Sequence, residues 1–333
     1  MAANIKDVAR KANVSTATVS HVINNTRYVS EEVKSRVIQA MKELNYRPNS
    51  VARSLRSKKS NTIGLIVPVR VEDTSSFFFM SVAQGIESAL KKHGYNLLLS
   101  NSNENIEYEK EQIRIFNSLL IDGLIITPTA EEHSYLNEIL TTSYPVVFID
   151  RRPRGVEGDC VLSDGYTGTY EAICYMIQKG YKRIGYISGP MGLTTSDERF
   201  EGYKRAILDN GFEIELSLIK EAEATYKNGY ELAKELVNEQ KVTAIFAANN
   251  VMTIGALEFL QEQNLKIPED VAIIGFDDYE WTKIISPPLT VVKQYPYDLG
   301  IKAAEVLLDR IKNPKKKYKE YRLPTKLVIR HSC

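Results

Sequence analysis

Seven short apolar runs, at 62–67, 95–99, 123–126, 146–149, 183–187, 244–247 and 271–275, alternate with longer amphipathic stretches, and this alternation constrains the chain more than any other feature. Runs of four to six residues with no polar alternation need burial on both faces, which a parallel strand under helices provides. The order starts again at 183, so the expected architecture is two similar α/β subdomains, each doubly wound about a parallel sheet. At 333 residues the chain exceeds what one core usually supports.

The first sixty residues have a different texture. Ile5, Val8, Ala9 and Ala12 recur at i, i+3, i+4 and i+7, and Val19, Val22 and Ile23 repeat that spacing after a short link. Ser15 and Ser30 stand where N-caps belong, and Glu31 and Glu32 suit the positive end of a third helix whose buried stripe is Val33, Val37, Ala40, Met41 and Leu44. Two helices joined by a tight turn and supported by a third make a helix-turn-helix. Its second helix offers Thr16, Ala17, Ser20 and His21, with Asn25 just beyond, as groups small or polar enough to approach base edges.

Charge points the same way. Residues 1–60 carry 12 Lys and Arg against 4 Asp and Glu, a net +8, whereas the remainder carries 31 against 38, a net −7. The near-neutral total therefore conceals a basic module whose expected partner is a polyanion, since neutralising phosphates releases counterions.

Three segments carry a family resemblance: Ile5-Lys6-Asp7-Val8-Ala9, the run from Val14-Ser15 to Asn24, and Tyr46-Arg47-Pro48-Asn49-Ser50-Val51-Ala52-Arg53-Ser54-Leu55. They resemble the headpiece and hinge of the LacI/GalR repressors, and the likeness extends over essentially the whole chain. The headpiece is most similar to that of the purine-responsive members, through Thr18 to Asn24 and Val51 to Leu55. Ala17 stands where those members have a threonine, which implies different outer operator bases. The resemblance implies a helix-turn-helix headpiece at 1–47, a hinge helix and linker at 48–60, and an effector-binding and dimerisation domain of periplasmic-binding-protein type at 61–333. Within the last, it implies a first subdomain of about 61–161 with 292–322 and a second of about 162–290 with 323–333. The implied partners are a pseudo-palindromic double-stranded DNA operator, a second copy of the chain, and a small-molecule effector.

The segment 48–56 places Val51 and Leu55 at i, i+4 among Arg53, Arg56, Lys58 and Lys59. A helix this short is marginal alone, since about 12–15 residues are usually needed in water, so it is expected to order when paired across a dimer on DNA. The resemblance implies that Leu55 is the wedge that unstacks a central base step in the minor groove; packing against its own dimer mate is compatible with that role.

Ligands of open parallel sheets bind beyond the strand carboxyl ends. The residues just after each run are polar or aromatic: Phe78 and Phe79 after the first, Asn103, Thr127, then Asp150 with Arg151, and in the second half Arg199, Asn249 with Asn250, and Asp277 with Asp278. Such donor and acceptor pairs with aromatic walls suit a hydroxyl-rich ligand. Trp281, the lone tryptophan, offers a flat face for a sugar ring or a packing surface between lobes. Phe78 and Phe79 read equally as wall or as core, and Arg199 either meets the ligand or pairs with Asp197 or Glu198. The resemblance implies effector contacts at Arg199 and Asp277. It also places Asn250 where an aspartate is usual, and Leu193 where purine-responsive members use an arginine. The expected effector is therefore a neutral sugar or small glycoside, with a purine as the alternative.

Two other function classes share parts of this pattern. Asp150, Asp164, Asp277 and Asp278 resemble the carboxylate set of a sugar-modifying enzyme, but no activating arrangement accompanies them. A solute-binding receptor would share the two lobes but not the basic module. No signal-like stretch or apolar run of about 18 residues occurs, and Cys160, Cys174 and Cys333 show no paired spacing. The expectation is a reduced, cytoplasmic protein with no catalytic residues, no metal and no cofactor, regulating transcription by repression.

Overall fold

The computed structural model describes residues 3–24, 27–46, 60–70, 75–129, 132–140 and 144–333. The expected hinge helix, with Arg53, Leu55 and Arg56, lies outside the described residues, as does Asn25. The chain divides into two compact units, Met1–Ser60 and Asn61–Cys333.

Among the described residues the first unit has three helices: α1 (Ile5–Ala12), α2 (Thr16–Asn24) and α3 (Glu31–Glu43). Asn4 caps α1, accepting from Lys6 N and Asp7 N while Asp7 reaches back to the Asn4 amide, a capping box that satisfies orphan donors at the helix start. Asn13 turns the chain at φ 54°, a left-handed conformation that asparagine tolerates. Ser15 Oγ then accepts from Thr18 N at 3.0 Å and starts α2. Ser30 stands at the start of α3 but makes no side-chain cap bond there. Val8, Val19 and Val37 are wholly buried where the three helices meet, with Ile5, Val22, Ile23, Val33, Met41 and Leu44 packed around them.

The second unit holds two parallel sheets. The first is built from β1 (Thr62–Val67), β2 (Asn96–Asn101), β3 (Gly123–Ile126), β4 (Val146–Ile149), β5 (Asp159–Ser163) and β11 (Glu320–Leu323), in the order β11-β5-β4-β3-β1-β2. The second contains β6 (Ile184–Ser188), β7 (Ile219–Glu221), β8 (Ala244–Ala247), β9 (Ala272–Phe276), β10 (Thr290–Lys293) and β12 (Lys326–Val328), in the order β12-β10-β9-β8-β6-β7. Every pairing is parallel except β10 with the edge strand β12. In each sheet the winding reverses beside its first strand, β1 or β6, which opens a crevice at the carboxyl ends.

Helices cover both faces. Around the first sheet are α4 (Ser75–Lys91), α5 (Ile106–Ser118), α6 (Ser134–Ile139) and α12 (Pro296–Lys312); α7 (Gly165–Gln178), α8 (Thr194–Asp209), α9 (Tyr226–Asn238), α10 (Asn250–Glu262) and the short α11 (Trp281–Ile284) belong with the second. Helices α4 and α12 touch through glycines: a Cβ on Gly85 would collide with the Tyr297 carbonyl, and one on Gly300 with that of Val82. The backbones can approach closely only because those side chains are missing.

The chain changes lobe three times: after β5, between β10 and α12, and between β11 and β12. The middle crossing falls at Gln294 and Tyr295 because β10 stays in the second sheet through Lys293, pairing Val292 with Phe276. That is just beyond the stretch 289–293 in which the family resemblance implies the crossing.

Candidate functional site

Two surfaces gather the sequence-selected residues, one in each unit. On α2, Thr16 and Ala17 are exposed, whereas Ser20 and His21 are half-buried. The sequence pattern predicts all four on the outward face. Val19, Val22 and Ile23 turn inward and draw the second turn toward the core, and Ser20 Oγ already accepts from Asn24 Nδ2 at 3.2 Å. The exposed residues of the helix are therefore Thr16 and Ala17 in its first turn and Asn24 at its end.

The second surface is the crevice between the two sheets. Its wall includes Phe78 and Phe79 of α4, Asp150 and Arg151 after β4, Leu193 before α8, Arg199 within it, Asn249 and Asn250 at the start of α10, and Asp277 after β9. Polar members that were not singled out from sequence are Arg70, Glu104, Thr195 and Gln294.

Backbone strain marks the two carboxylates. Asp150 and Asp277 sit at φ 66° and 72°, where a non-glycine residue is uncommon. Asp277 N donates to Val292 O at 2.9 Å and Asp150 N to Val161 O at 2.9 Å, so neighbouring strands hold both turns. Burial pushes the Asp277 carboxyl up to about 6, against the pull of Arg199 and of the hydrogen bond from Gln294 Nε2 at 2.7 Å. Burial likewise raises Asp150, opposed by Arg151 and Arg199.

The arginines are fixed from behind. Arg199 lies 3.7 Å over the Phe276 ring and donates Nη1 to Ala248 O at 2.7 Å. It does not pair with its neighbours, because Asp197 binds Arg154 and Glu198 binds Arg322. Arg151 forks onto Glu104 at 2.5 and 3.1 Å. Three buried polar atoms of the wall are left without a partner: Arg151 Nε, Arg199 Nε and Gln294 Oε1.

Phe78 and Phe79 are both core and wall, each 6% exposed and set edge to face at 5.1 Å. Asn249 lines the crevice but spends its side-chain oxygen capping α10, and Asn250 Nδ2 donates to Tyr279 Oη at 3.1 Å. Three expected residues do not line the crevice. Thr127 is wholly buried behind it, Asn103 occupies a left-handed turn position, and Trp281 packs on the second-lobe core. The indole therefore packs on the core of its own lobe and does not line the crevice. Of the four carboxylates considered as an acid/base set, Asp164 caps α7 and Asp278 is paired with Arg330, which leaves only Asp150 and Asp277 at the crevice.

Polar contacts tie the lobes at the rim. Thr194 Oγ1 accepts from Arg152 N and donates to its carbonyl, Arg154 pairs with Asp197 at 2.9 Å, Arg70 with Glu223 at 3.2 Å, and Arg322 forks onto Glu198 at 2.8 and 2.6 Å. All three cysteines are free thiols. Among the described residues no group of three His, Cys, Asp or Glu is placed to hold a metal, and no helix is long and apolar enough to cross a membrane.

Two family models match. Residues 4–49 match bacterial regulatory proteins of the lacI family, and residues 60–331 match periplasmic binding proteins and the sugar binding domain of the LacI family. The helix-turn-helix transcriptional repressor PurR of Histophilus somni is 36% identical over 332 residues, covering 99% of this chain and 98% of that protein. The lac repressor dimer bound to operator and an anti-inducer superposes with a TM-score of 0.87 at 26% identity, covering 100% and 99% of the two chains. A LacI family regulator from Enterococcus faecium with bound ribose superposes with a TM-score of 0.71 at 31% identity, over 81% of this chain and 98% of that one.

Proposed function

The chain belongs to the LacI family of bacterial regulatory proteins and is a ligand-responsive transcriptional repressor, and from that premise we propose that its effector is a neutral sugar or small glycoside bound between the lobes. The observation that carries this reading is the set of unpartnered atoms in the crevice. Two are donors, Arg151 Nε and Arg199 Nε, one is an acceptor, Gln294 Oε1, and the carboxylates of Asp150 and Asp277 lie beside them. A hydroxyl group both donates and accepts, so a polyol satisfies all of them at once. The wall's charges also balance, with Arg70, Arg151 and Arg199 facing Glu104, Asp150 and Asp277. Leu193 lines the crevice with an apolar side chain, at a position where the resemblance implies an arginine in purine-responsive members. The ribose held by the Enterococcus faecium relative supports the same class.

In this reading residues 1–47 bind the operator, 48–60 form the hinge, and 61–333 bind effector and dimerise. Thr16 and Ala17 meet base edges, with Ser20 and His21 behind them, and the basic hinge contributes Arg53 and Arg56 to phosphates and Leu55 to the minor groove. A homodimer is supported by the large apolar side chains the first lobe leaves exposed, Leu98 and Leu99 on the edge strand β2 and Ile115, Leu119 and Leu120 at the end of α5. Two-fold symmetry then makes the operator pseudo-palindromic. The DNA partner sets the cytoplasm as the working compartment.

Calorimetry of the full chain against a panel of pentoses, hexoses and disaccharides, with hypoxanthine and guanine as comparators, tests the effector class. Tight binding of a purine base with no response to any sugar would overturn it.

A further inference from the structure

Glu104 has an unusual setting for a wall residue of a ligand crevice. It follows Asn103 in a turn where both residues lie in the left-handed region, at φ 54° and 53°, unfavourable for a glutamate in particular. The turn is pinned from several sides. Asn101 Oδ1 accepts from Asn103 N at 2.9 Å and from Val69 N at 2.9 Å, Asn101 Nδ2 donates to Val69 O at 2.7 Å, and Asn105 caps α5. The strained turn delivers the Glu104 carboxylate to Arg151, where it takes both terminal nitrogens, at 2.5 and 3.1 Å. The side chains are only 18% and 14% exposed, so solvent screens the pair little.

Two consequences follow for a ligand. The forked face of the Arg151 guanidinium, the geometry that suits a phosphate or carboxylate, is already occupied, so Arg151 offers a ligand only its Nε. An anionic group brought to this side of the crevice would also meet the Glu104 carboxylate. We propose that Glu104 is a specificity-determining residue: by occupying and neutralising Arg151, it makes the crevice reject sugar phosphates and sugar acids in favour of neutral sugars. The proposal rests on the reading of the effector as a sugar. It assigns to one side chain a discrimination made by repulsion as much as by attraction.

The test compares matched pairs, D-ribose with D-ribose 5-phosphate, D-glucose with D-glucose 6-phosphate and D-galactose with D-galacturonate, by calorimetry on the full chain. The parent binds the neutral member of at least one pair and its anionic partner at least about 100-fold more weakly. In Glu104→Gln, which removes the charge but keeps the length, that ratio narrows at least about tenfold; in Glu104→Asp, which keeps the charge, it stays near the parent's. Glu104→Asn is a second uncharged variant suited to the left-handed backbone, and it gives the same narrowing if the glutamine variant is unstable. Equal losses for both members of a pair, with the ratio unchanged, would reduce Glu104 to a residue that merely positions Arg151 and would overturn the proposal while leaving the sugar reading intact. Failure of the parent to bind any neutral sugar would instead overturn the sugar reading, and this proposal with it.

Discussion

Gln294 Nε2 donates to Asp277 Oδ1 at 2.7 Å, joining the strained carboxylate after β9 to the point where the chain leaves the second sheet for α12 of the first lobe. The same glutamine keeps its Oε1 buried and unpartnered. A ligand that bonds to both residues therefore touches a crossing strand directly, and can favour one lobe arrangement over another. Only that difference in affinity between arrangements can move operator binding.

Gln294→Leu removes the donor to Asp277 and the free acceptor together. Effector affinity should fall by about 1–3 kcal/mol, roughly 5- to 150-fold, while operator affinity without ligand stays near the parent's. Calorimetry and operator titration on the same preparation check this, and an unchanged effector affinity would remove Gln294 from the site.

Asp277 gives a pH dependence with a definite sign. Its folded value of about 6 lies above the ordinary 3.8, so the folded state takes up a proton that the unfolded chain lacks between about pH 4 and 6. Its contribution to stability is greatest at low pH and is lost as pH rises through about 6, a penalty of about 3 kcal/mol at neutral pH. Asp277→Asn, which suits the φ of 72°, should raise the thermal midpoint at pH 7.5 yet abolish effector binding. The parent's effector affinity should climb from pH 5 to 7 as the carboxylate ionises, so a flat profile over that range would contradict the role.

The fold Arg322 makes on Glu198 spans the lobes at the rim, but both side chains keep partial access to solvent, at 33% and 20%. Arg322→Ala should therefore shift effector affinity by at most about fivefold, the effect of about 1 kcal/mol. The shift should shrink in about 0.5 M salt, where screening is strong. A larger, salt-independent change would mean that the pair shapes the crevice rather than the balance between lobe arrangements.

Ala17 is exposed in the first turn of α2, where a threonine stands in the purine-responsive members that its headpiece resembles. Ala17→Thr should change the bases chosen in binding-site selection without altering the salt dependence, because no phosphate contact changes. Ser15→Ala should cost about 1 kcal/mol of headpiece stability through loss of the bond to Thr18 N. A parental motif from the threonine variant would take Ala17 off the base-facing surface.

What the sequence disclosed follows from apolar runs rather than from burial itself: the run at 95–99 was visible although Asn96–Asn101 is a largely exposed edge strand, and the buried β5 and β10 were missed. Strands such as 62–67 and 244–247 are apolar throughout because both faces are covered, and their runs were visible at once. The strands β11 and β12 went unseen: Glu320–Leu323 and Lys326–Val328 are edge strands with exposed charged residues and no apolar run. Missing β10 hid Gln294, which follows it. Asp150, Arg151 and Asp277 were legible because they follow strand ends that face the crevice, whereas Arg199, inside α8, was singled out through the family resemblance. Position after a strand does not give side-chain direction, however, and Thr127, which also follows one, points into the interior. Glu104 gave no signal, since only the turn that bends the chain back toward Arg151 brings it to the wall.

The central claim is that a neutral sugar in the crevice changes operator affinity. Its most direct test is fluorescence anisotropy of the full chain on an operator recovered by binding-site selection, with and without the tightest-binding sugar of the panel, for the parent and for Asp277→Asn. The account predicts a change of at least about fivefold in the parent at saturating sugar, none in the variant, and equal affinity of the two proteins without ligand. An operator affinity in the parent that is indifferent to every sugar, or that responds to hypoxanthine or guanine instead, would contradict it.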